Sequence, residues 1–126
     1  ISGSTRTMGF YSRGGTLFSD HSKSKACSCD LWDDLIAKDL NSPMNVLSWG
    51  RPLMGNKCSS PVVQNVMTLN WAPIFGANVT YGETLEHSKW GLATKTDVIC
   101  IGDINRMVSQ RLRGGGAVCR MDPSIY

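Results

Sequence analysis

Two neighbouring segments decide the fold: Leu85-Glu-His-Ser-Lys-Trp-Gly-Leu92 and Asp97-Val-Ile-Cys-Ile101. Their composition predicts two β-strands, which we expect to be adjacent in one sheet. The second segment is a continuous apolar run, which is typical of a central strand that is buried on both faces. Alternate side chains of a strand share a face, so His87 and Lys89 are expected to project together.

The segments on either side of this pair predict a mixed α/β domain. A helix is expected over residues 30–40, because apolar residues recur at helical spacing behind Asp30, the candidate N-cap. A second helix is expected over 104–112, whereas residues 1–29 suggest irregular chain around one short strand. The strands predicted outside the central pair are 16–18, 45–49, part of 62–71, and 117–119. One sheet with helices packed on it, in a single domain spanning 1–126, is the simplest arrangement.

Composition limits the class of protein. The chain has 126 residues, of which 41% are hydrophobic and 18% charged, as expected for one globular domain with an ordinary core. A net charge of +3 would help to hold a polyanion but is smaller than expected for a protein that is dedicated to coating nucleic acid. No run of eighteen apolar residues occurs, so we expect a soluble chain without a membrane span. The absence of an initiating Met suggests a processed chain or a fragment.

Cysteine usage indicates an oxidising compartment. Five cysteines and a glycosylation sequon at Asn78-Val-Thr80 favour a secreted or lysosomal protein. No histidine lies at zinc-finger spacing from a cysteine, so neither a metal nor a cofactor is expected. An odd number of cysteines leaves one thiol free or bonded to another chain. The cysteines are Cys27, Cys29, Cys58, Cys100 and Cys119.

His87 and Lys89 are the candidate catalytic pair. An imidazole can attack phosphorus or protonate a leaving oxygen, and a nearby ammonium stabilises charge on the non-bridging oxygens. The pair gains weight from Gly102-Asp-Ile-Asn105 at the end of the next strand, where open α/β sheets bind ligands. Asn105 would orient the imidazole or donate to phosphate. Asp103 would either cap a helix or support catalysis.

Three arginines are candidate contacts to a nucleic-acid backbone: Arg106, Arg111 and Arg113. Helix-borne arginines usually face water, so this expectation competes with an ordinary solvated surface. Glycines 114–116 either present N–H groups to a phosphate or form a turn after a helix, and the turn is favoured. A second His-Ser-Lys, at His21, lies in a uniformly polar stretch and is expected to be solvated loop.

Three ordered motifs within 33 residues resemble the C-terminal portion of the deoxyribonuclease II family, acid endonucleases related to phospholipase D. They are His87-Ser-Lys-Trp90, Cys100-Ile-Gly-Asp-Ile-Asn-Arg106 and Arg113-Gly-Gly-Gly-Ala-Val-Cys119. Weaker similarity at 14–18, 30–35 and 46–49 extends the resemblance over essentially the whole chain. It implies a mixed β-sheet flanked by helices, one half of a phospholipase D-like pseudo-dimer.

The resemblance also implies a function and a set of site residues. His87, Lys89 and Asn105 would form half of a metal-independent site that hydrolyses DNA at acid pH and leaves 3′-phosphate ends. The other histidine would come from an N-terminal half or from a second chain. The odd cysteine could join such a second chain through a disulfide. Cys100 and Cys119 would form a disulfide, and Cys58 is expected to pair with Cys27 or Cys29. The alternative is a secreted, non-catalytic DNA-binding or effector protein on the same fold.

Overall fold

The fold is described by a computed structural model that covers residues 4–125. A seven-stranded sheet and a two-stranded sheet account for its strands, with β5 and β6 forming the smaller one. The larger sheet has the order β1-β2-β9-β8-β7-β3-β4 and is antiparallel except between β3 and β4. The strands are β1 (Thr5–Tyr11), β2 (Leu17–Lys23), β3 (Met44–Leu47), β4 (Val63–Asn65), β5 (Thr68–Asn70), β6 (Thr80–Gly82), β7 (Trp90–Ala93), β8 (Val98–Gly102) and β9 (Gly115–Met121).

The helix predicted behind Asp30 is present. It opens with a π-helical segment, Leu31–Ile36, and continues into one α-helical turn, α1 (Ala37–Asp39). The Asp30 carboxylate accepts hydrogen bonds from the backbone N–H groups of Trp32 and Asp33 at 3.0 and 2.8 Å, which confirms the N-cap. A second α-helical turn, α2 (Ala72–Phe75), lies between β5 and β6. Short 3₁₀ turns occupy Lys25–Cys27, Glu83–Leu85, Val108–Leu112 and Pro123–Ile125.

The hydrophobic core lies between this helical segment and one face of the large sheet, called here the inner face. Trp32 is fully buried, and its indole N–H donates to the carbonyl of Ile104 at 2.9 Å. Gly91 makes room for it, because a Cβ there would lie 2.9 Å from Trp32 Cζ3. The inner-face residues of this core are Met44, Val46, Val63, Ala93, Val98, Cys100, Ala117 and Cys119.

The opposite face of the sheet carries exposed apolar side chains and is called here the outer face. Direct cross-strand partners share a face, and the register joins Met8, Asp20, Val118, Ile101 and Trp90 in one row across five strands. Ile101 is 58% exposed and Val118 39%. β8 is therefore the central strand, as predicted, but the prediction that both of its faces are buried is wrong.

Three local predictions need correction. Within the predicted irregular stretch 1–29, the described residues 4–29 are not mainly irregular, because β1 and β2 form a polar hairpin in which β2 also pairs with β9. The strand predicted from residue 85 begins only at Trp90. The helix predicted over 104–112 is reduced to the 3₁₀ turn Val108–Leu112, because the N–H of Arg106 donates to Ser48 Oγ and its carbonyl accepts from Met54.

Two disulfides are formed among the described residues. Cys100 and Cys119 are directly paired across β8 and β9, and this disulfide is confirmed. The other joins Cys27 to Cys29, so the expectation that Cys58 pairs with one of them is wrong. Cys58 is an exposed free thiol. Within residues 4–125, no helix has both the length and the apolar character needed to cross a membrane.

Candidate active site

The candidate site lies at the end of the sheet where β7 begins and where β3 and β8 end. His87 and Lys89 lie in an irregular segment just before β7 and not in the strand itself, so the shared strand face expected for them is not formed. The Lys89 ammonium instead donates to the carbonyl of His87 at 2.5 Å, and the Lys89 carbonyl accepts from the N–H of Gly102 at 2.9 Å. The pair is therefore tied to the end of β8, with the His87 side chain exposed.

Trp49 supports the imidazole of His87. The two rings are stacked, with centroids 5.3 Å apart and planes inclined by 25°. The Trp49 indole is itself held, because its N–H donates to the carbonyl of Thr84 at 3.2 Å. Trp49 was not among the residues predicted for the site, and its contact with His87 was missed. The available signal was its position just after β3, the strand that pairs with β7.

Asn105 lies in the loop that follows β8 and contacts the same tryptophan. Its side-chain oxygen accepts the backbone N–H of Trp49 at 3.1 Å, and its own backbone N–H donates to Gln110 Oε1 at 2.7 Å. Asn105 is 7% exposed. The structure thus brings His87 and Asn105 into contact with one residue, Trp49, as a shared scaffold.

Asp103 does not cap a helix, since none begins beside it. Its carboxylate accepts the N–H of Gly116 at 2.8 Å, and its own N–H donates to the Gly116 carbonyl at 3.1 Å. A Cβ on Gly115 would lie 2.5 Å from the Asp103 carboxylate, and one on Gly116 would lie 2.6 Å from the carbonyl of His21. The prediction that glycines 114–116 form a turn is therefore wrong, because Gly115 and Gly116 are closely packed strand residues of β9.

Glu86 orders the segment that carries His87. Its carboxylate accepts the N–H of Ser88 at 2.8 Å and the hydroxyl of Tyr81 at 3.2 Å. The hydrogen bond from the Ser88 backbone is the main reason that the pKa of Glu86 is lowered. Sequence reasoning did not single out Glu86, because an isolated acid beside a motif carries no distinctive pattern.

Arg106 is placed inside the protein, and the expectation that it contacts DNA must be corrected. Its side chain is fully buried, with one guanidinium nitrogen 3.0 Å from the Asp33 carboxylate and Nε 3.6 Å from that of Asp30. A further hydrogen bond of 2.5 Å reaches Asn65. Burial raises the pKa of Asp30 to about 6, with the Asp33 charge adding to the increase and Arg106 opposing it.

The two other arginines lie near the surface. Arg111 is half-buried and donates to the carbonyl of Ser28 at 3.2 Å, with its guanidinium 3.6 Å from Asp34. Arg113 has an exposed side chain. Of the three candidate DNA contacts, Arg113 and the less accessible Arg111 remain available to a ligand.

The second His-Ser-Lys is not solvated loop, as was expected. It lies in β2, an internal strand, with His21 only 2% and Lys23 only 4% exposed. The Lys23 ammonium donates to the carbonyls of Gln110 and Arg111 at 3.0 and 3.2 Å, and to that of Arg113. Burial lowers the pKa of Lys23. Lys23 thus anchors the 3₁₀ turn that precedes β9.

The site offers acid–base and electrostatic chemistry through an exposed imidazole and a neighbouring ammonium. Within residues 4–125, histidine, cysteine and acidic side chains form no group of three that could hold a metal ion. The fold and site together define the class, a mixed α/β domain that presents a histidine and a lysine at one end of its large sheet. The model of the deoxyribonuclease II family matches residues 2–126, and the chain belongs to that family.

Individual relatives agree with this membership. Deoxyribonuclease-2 of Caenorhabditis elegans is 35% identical over 83% of the chain, and deoxyribonuclease-2-alpha of Sus scrofa is 30% identical over 91%. Plancitoxin-1 of Acanthaster planci is 30% identical over 96%. The chain spans only 28%, 32% and 34% of the length of these three relatives, respectively. It is therefore similar to about one third of each.

Proposed function

We propose that this chain is the C-terminal part of an acid, metal-independent endonuclease that hydrolyses DNA phosphodiester bonds and leaves 3′-phosphate ends. The observation that carries the proposal is the exposed imidazole of His87, stacked on Trp49 and tied through its carbonyl to Lys89. Family membership supports a deoxyribonuclease rather than another phosphodiesterase. In this proposal the domain is one half of a phospholipase D-like pseudo-dimer.

His87 is the general acid of the proposed mechanism. A histidine from another part of the protein attacks phosphorus, so that an N–P bond forms while the bond from phosphorus to the 5′ oxygen breaks. The imidazolium of His87 gives its proton to that leaving oxygen. His87 then removes a proton from the water that cleaves the N–P bond and releases the 3′-phosphate end.

Lys89 and Asn105 complete this half of the site. The Lys89 ammonium stabilises charge on the non-bridging oxygens of the transition state. Asn105, held by Trp49, orients the site or donates to the same phosphate, and Asp103 supports it by fixing the end of β8 against β9. Arg113 and Arg111 are the proposed contacts to the DNA backbone.

The partner that completes the site is an N-terminal half or a second chain. Two observations support this: the chain spans about one third of its relatives, and the outer face leaves Ile101 and Val118 exposed. Exposed Cys58 is available for a disulfide to that partner. A secreted or lysosomal location is supported by the two disulfides and by the exposed sequon residue Asn78.

The test is nicking of supercoiled plasmid in EDTA at about pH 5, where histidine side chains are generally protonated. Two preparations are tested: the chain alone, and the chain joined to the rest of its polypeptide. His87→Ala should abolish nicking, whereas Ser88→Ala, at the neighbouring exposed position, should retain it. Nicking that requires a divalent cation or survives in His87→Ala would contradict the proposal. DNA binding without nicking in both preparations would favour the non-catalytic alternative.

A further inference from the structure

A chain of hydrogen bonds runs through the inner face of β2, remote from His87. Ser19 Oγ lies 3.0 Å from His21 Nε2, and His21 Nδ1 lies 2.9 Å from Asp39 Oδ2. The imidazole is thus held on both sides, and Thr7 Oγ1 donates to the same Asp39 oxygen at 2.5 Å. A hydroxyl, an imidazole and a carboxylate are therefore connected in the order that activates a serine nucleophile.

The local fold explains why these three groups meet. Ser19 and His21 are two residues apart on one strand, so their side chains share the inner face. Asp39 is the last residue of α1, which packs over that face. With the proton on Nδ1 donated to Asp39, Nε2 is left to accept the proton of Ser19 Oγ.

Ser19 also borders a cavity. The cavity has a volume of about 420 Å³ and opens at the end of the sheet opposite the His87 site, beside the first residue of β8. Its mouth is accessible, since Leu17 and Met121 are 55% and 65% exposed. The lining is largely apolar and includes Leu17, Leu40, Val98 and Met121, and its charged residue, Arg120, is paired with the Asp122 carboxylate at 3.3 Å. Such a pocket suits a short aliphatic group without charge.

We propose that Ser19, activated by His21 and Asp39, is an acyl-accepting nucleophile for small uncharged esters whose aliphatic part occupies this cavity. Ser19 Oγ attacks the ester carbonyl while His21 Nε2 takes its proton. The bond from the carbonyl carbon to the alcohol oxygen then breaks, and His21 returns the proton to the departing alcohol. Water, deprotonated by His21, subsequently hydrolyses the acyl-serine to a carboxylic acid and free Ser19.

The strand environment of Ser19 sets the expected rate. β2 is hydrogen-bonded to β1 on one side and to β9 on the other, so its backbone amides are committed to the sheet. They are thus not directed at the oxyanion of a tetrahedral intermediate, and each missing donor costs roughly 10²- to 10³-fold in rate. Formation and hydrolysis of the acyl-serine should therefore both be slow, and the acyl-serine should accumulate when the ester has a good leaving group such as a nitrophenolate.

The experiment is incubation of the chain with p-nitrophenyl butyrate, followed by intact-mass measurement and peptide mapping. With the exposed thiol of Cys58 blocked beforehand by iodoacetamide, we expect one butyryl group on Ser19 and a stoichiometric release of p-nitrophenol. Ser19→Ala should lose the adduct, and Asp39→Asn, at a partly exposed position, should slow its formation at least about tenfold. Ser22→Ala is the matched control, because Ser22 lies on the outer face of the same strand and should label normally.

The outcomes decide between a reactive and a purely structural role of the hydrogen-bond chain. Absence of an adduct on Ser19, or equal rates of Ser19 labelling in the unaltered chain and Asp39→Asn, would overturn the proposal. Circular dichroism of each variant excludes loss of fold as the cause. Ser19 lies outside the proposed nuclease site, so plasmid nicking by Ser19→Ala should be unchanged, and the two functions can fail separately.

Discussion

At the scale of the residue, Asp30 combines a structural role with an unusual charge state. Its carboxylate caps the helical segment through two backbone N–H groups and lies near the buried guanidinium of Arg106. Hydrogen bonds and a cation favour the charged carboxylate, but burial outweighs them and the pKa of Asp30 is raised to about 6. The helix cap is therefore also a titrating group in the mildly acidic range.

This raised pKa predicts a pH-dependent stability. The folded chain holds the Asp30 proton more tightly than the unfolded chain, whose aspartates titrate near the ordinary value of 3.8. The contribution is fully present below about pH 4 and is lost as the pH rises through about 6, with a size of at most about 3 kcal/mol. Asp30→Asn keeps the cap, because asparagine is also a good N-cap, but should flatten this dependence.

Urea unfolding between pH 4 and pH 7 measures the effect. The matched control is Asp122→Asn, because the Ser124 hydroxyl lowers the pKa of the half-buried Asp122 and so moves its titration further away from this range. The control should show the same slope as the unaltered chain. An unchanged slope in Asp30→Asn would show that Asp30 does not carry the dependence.

Sequence reasoning located some single residues and misplaced others for a physical reason. His87, Lys89 and Asn105 follow from motif spacing, and the structure ties all three to the same end of the sheet. Arg106 and His21 were misplaced because their burial depends on which strands become neighbours. A one-dimensional pattern records polarity, but it does not record a distant carboxylate that compensates a buried charge.

At the scale of the element, β9 shows how glycine controls strand pairing. Gly116 allows β2 to approach closely, whereas Gly114 has its nearest outside atom 3.5 Å from a Cβ position. Gly116→Ala would place the new methyl group 2.6 Å from the His21 carbonyl and should destabilise the chain by about 1–3 kcal/mol. Gly114→Ala should change stability by less than about 0.5 kcal/mol.

The unfolding midpoints in urea of the two variants check this prediction directly. Because both replacements add the same methyl group within one glycine run, their effects on the unfolded chain are similar. Equal midpoints would mean that β2 can shift away from β9 without loss, and that the close packing of Gly116 is not required.

The elements themselves were predictable to different degrees. The helix behind Asp30 and the strands β3, β8 and β9 have strong local patterns, and the structure contains them. The β1–β2 hairpin was missed because its strands are polar and gain their stability from pairing across the sheet. The helix predicted over 104–112 was wrong because the side chains of Gln110 and Ser48 accept the backbone N–H groups of Asn105 and Arg106.

At the scale of the whole molecule, the outer face predicts how the isolated chain behaves. Phe10, Ile101 and Val118 expose apolar surface on one continuous face of the sheet. We expect the chain alone to self-associate as its concentration rises. Ile101→Ser should weaken this association, measured by sedimentation velocity. The matched control is Ile74→Ser, because Ile74 is 68% exposed on α2 and lies outside this face.

A concentration-independent monomer would contradict the prediction, as would equal effects of the two serine variants. If self-association is found, joining the rest of the polypeptide should suppress it, since the same face is the proposed contact with that partner. This comparison distinguishes a specific interface with the rest of the polypeptide from nonspecific association through an exposed isoleucine.

The order of strands has a consequence for the time course of synthesis. β2 pairs with β9, so Ser19 must wait for Cys119, a hundred residues later, before its strand has a neighbour on that side. Ribosomes add about 5–20 residues per second, which leaves the hairpin half-paired for roughly 5–20 s. Such non-local pairing also slows folding once the chain is complete. The β1–β2 hairpin is thus completed by β9, the last of the described strands, and its open edge lacks a partner throughout that interval.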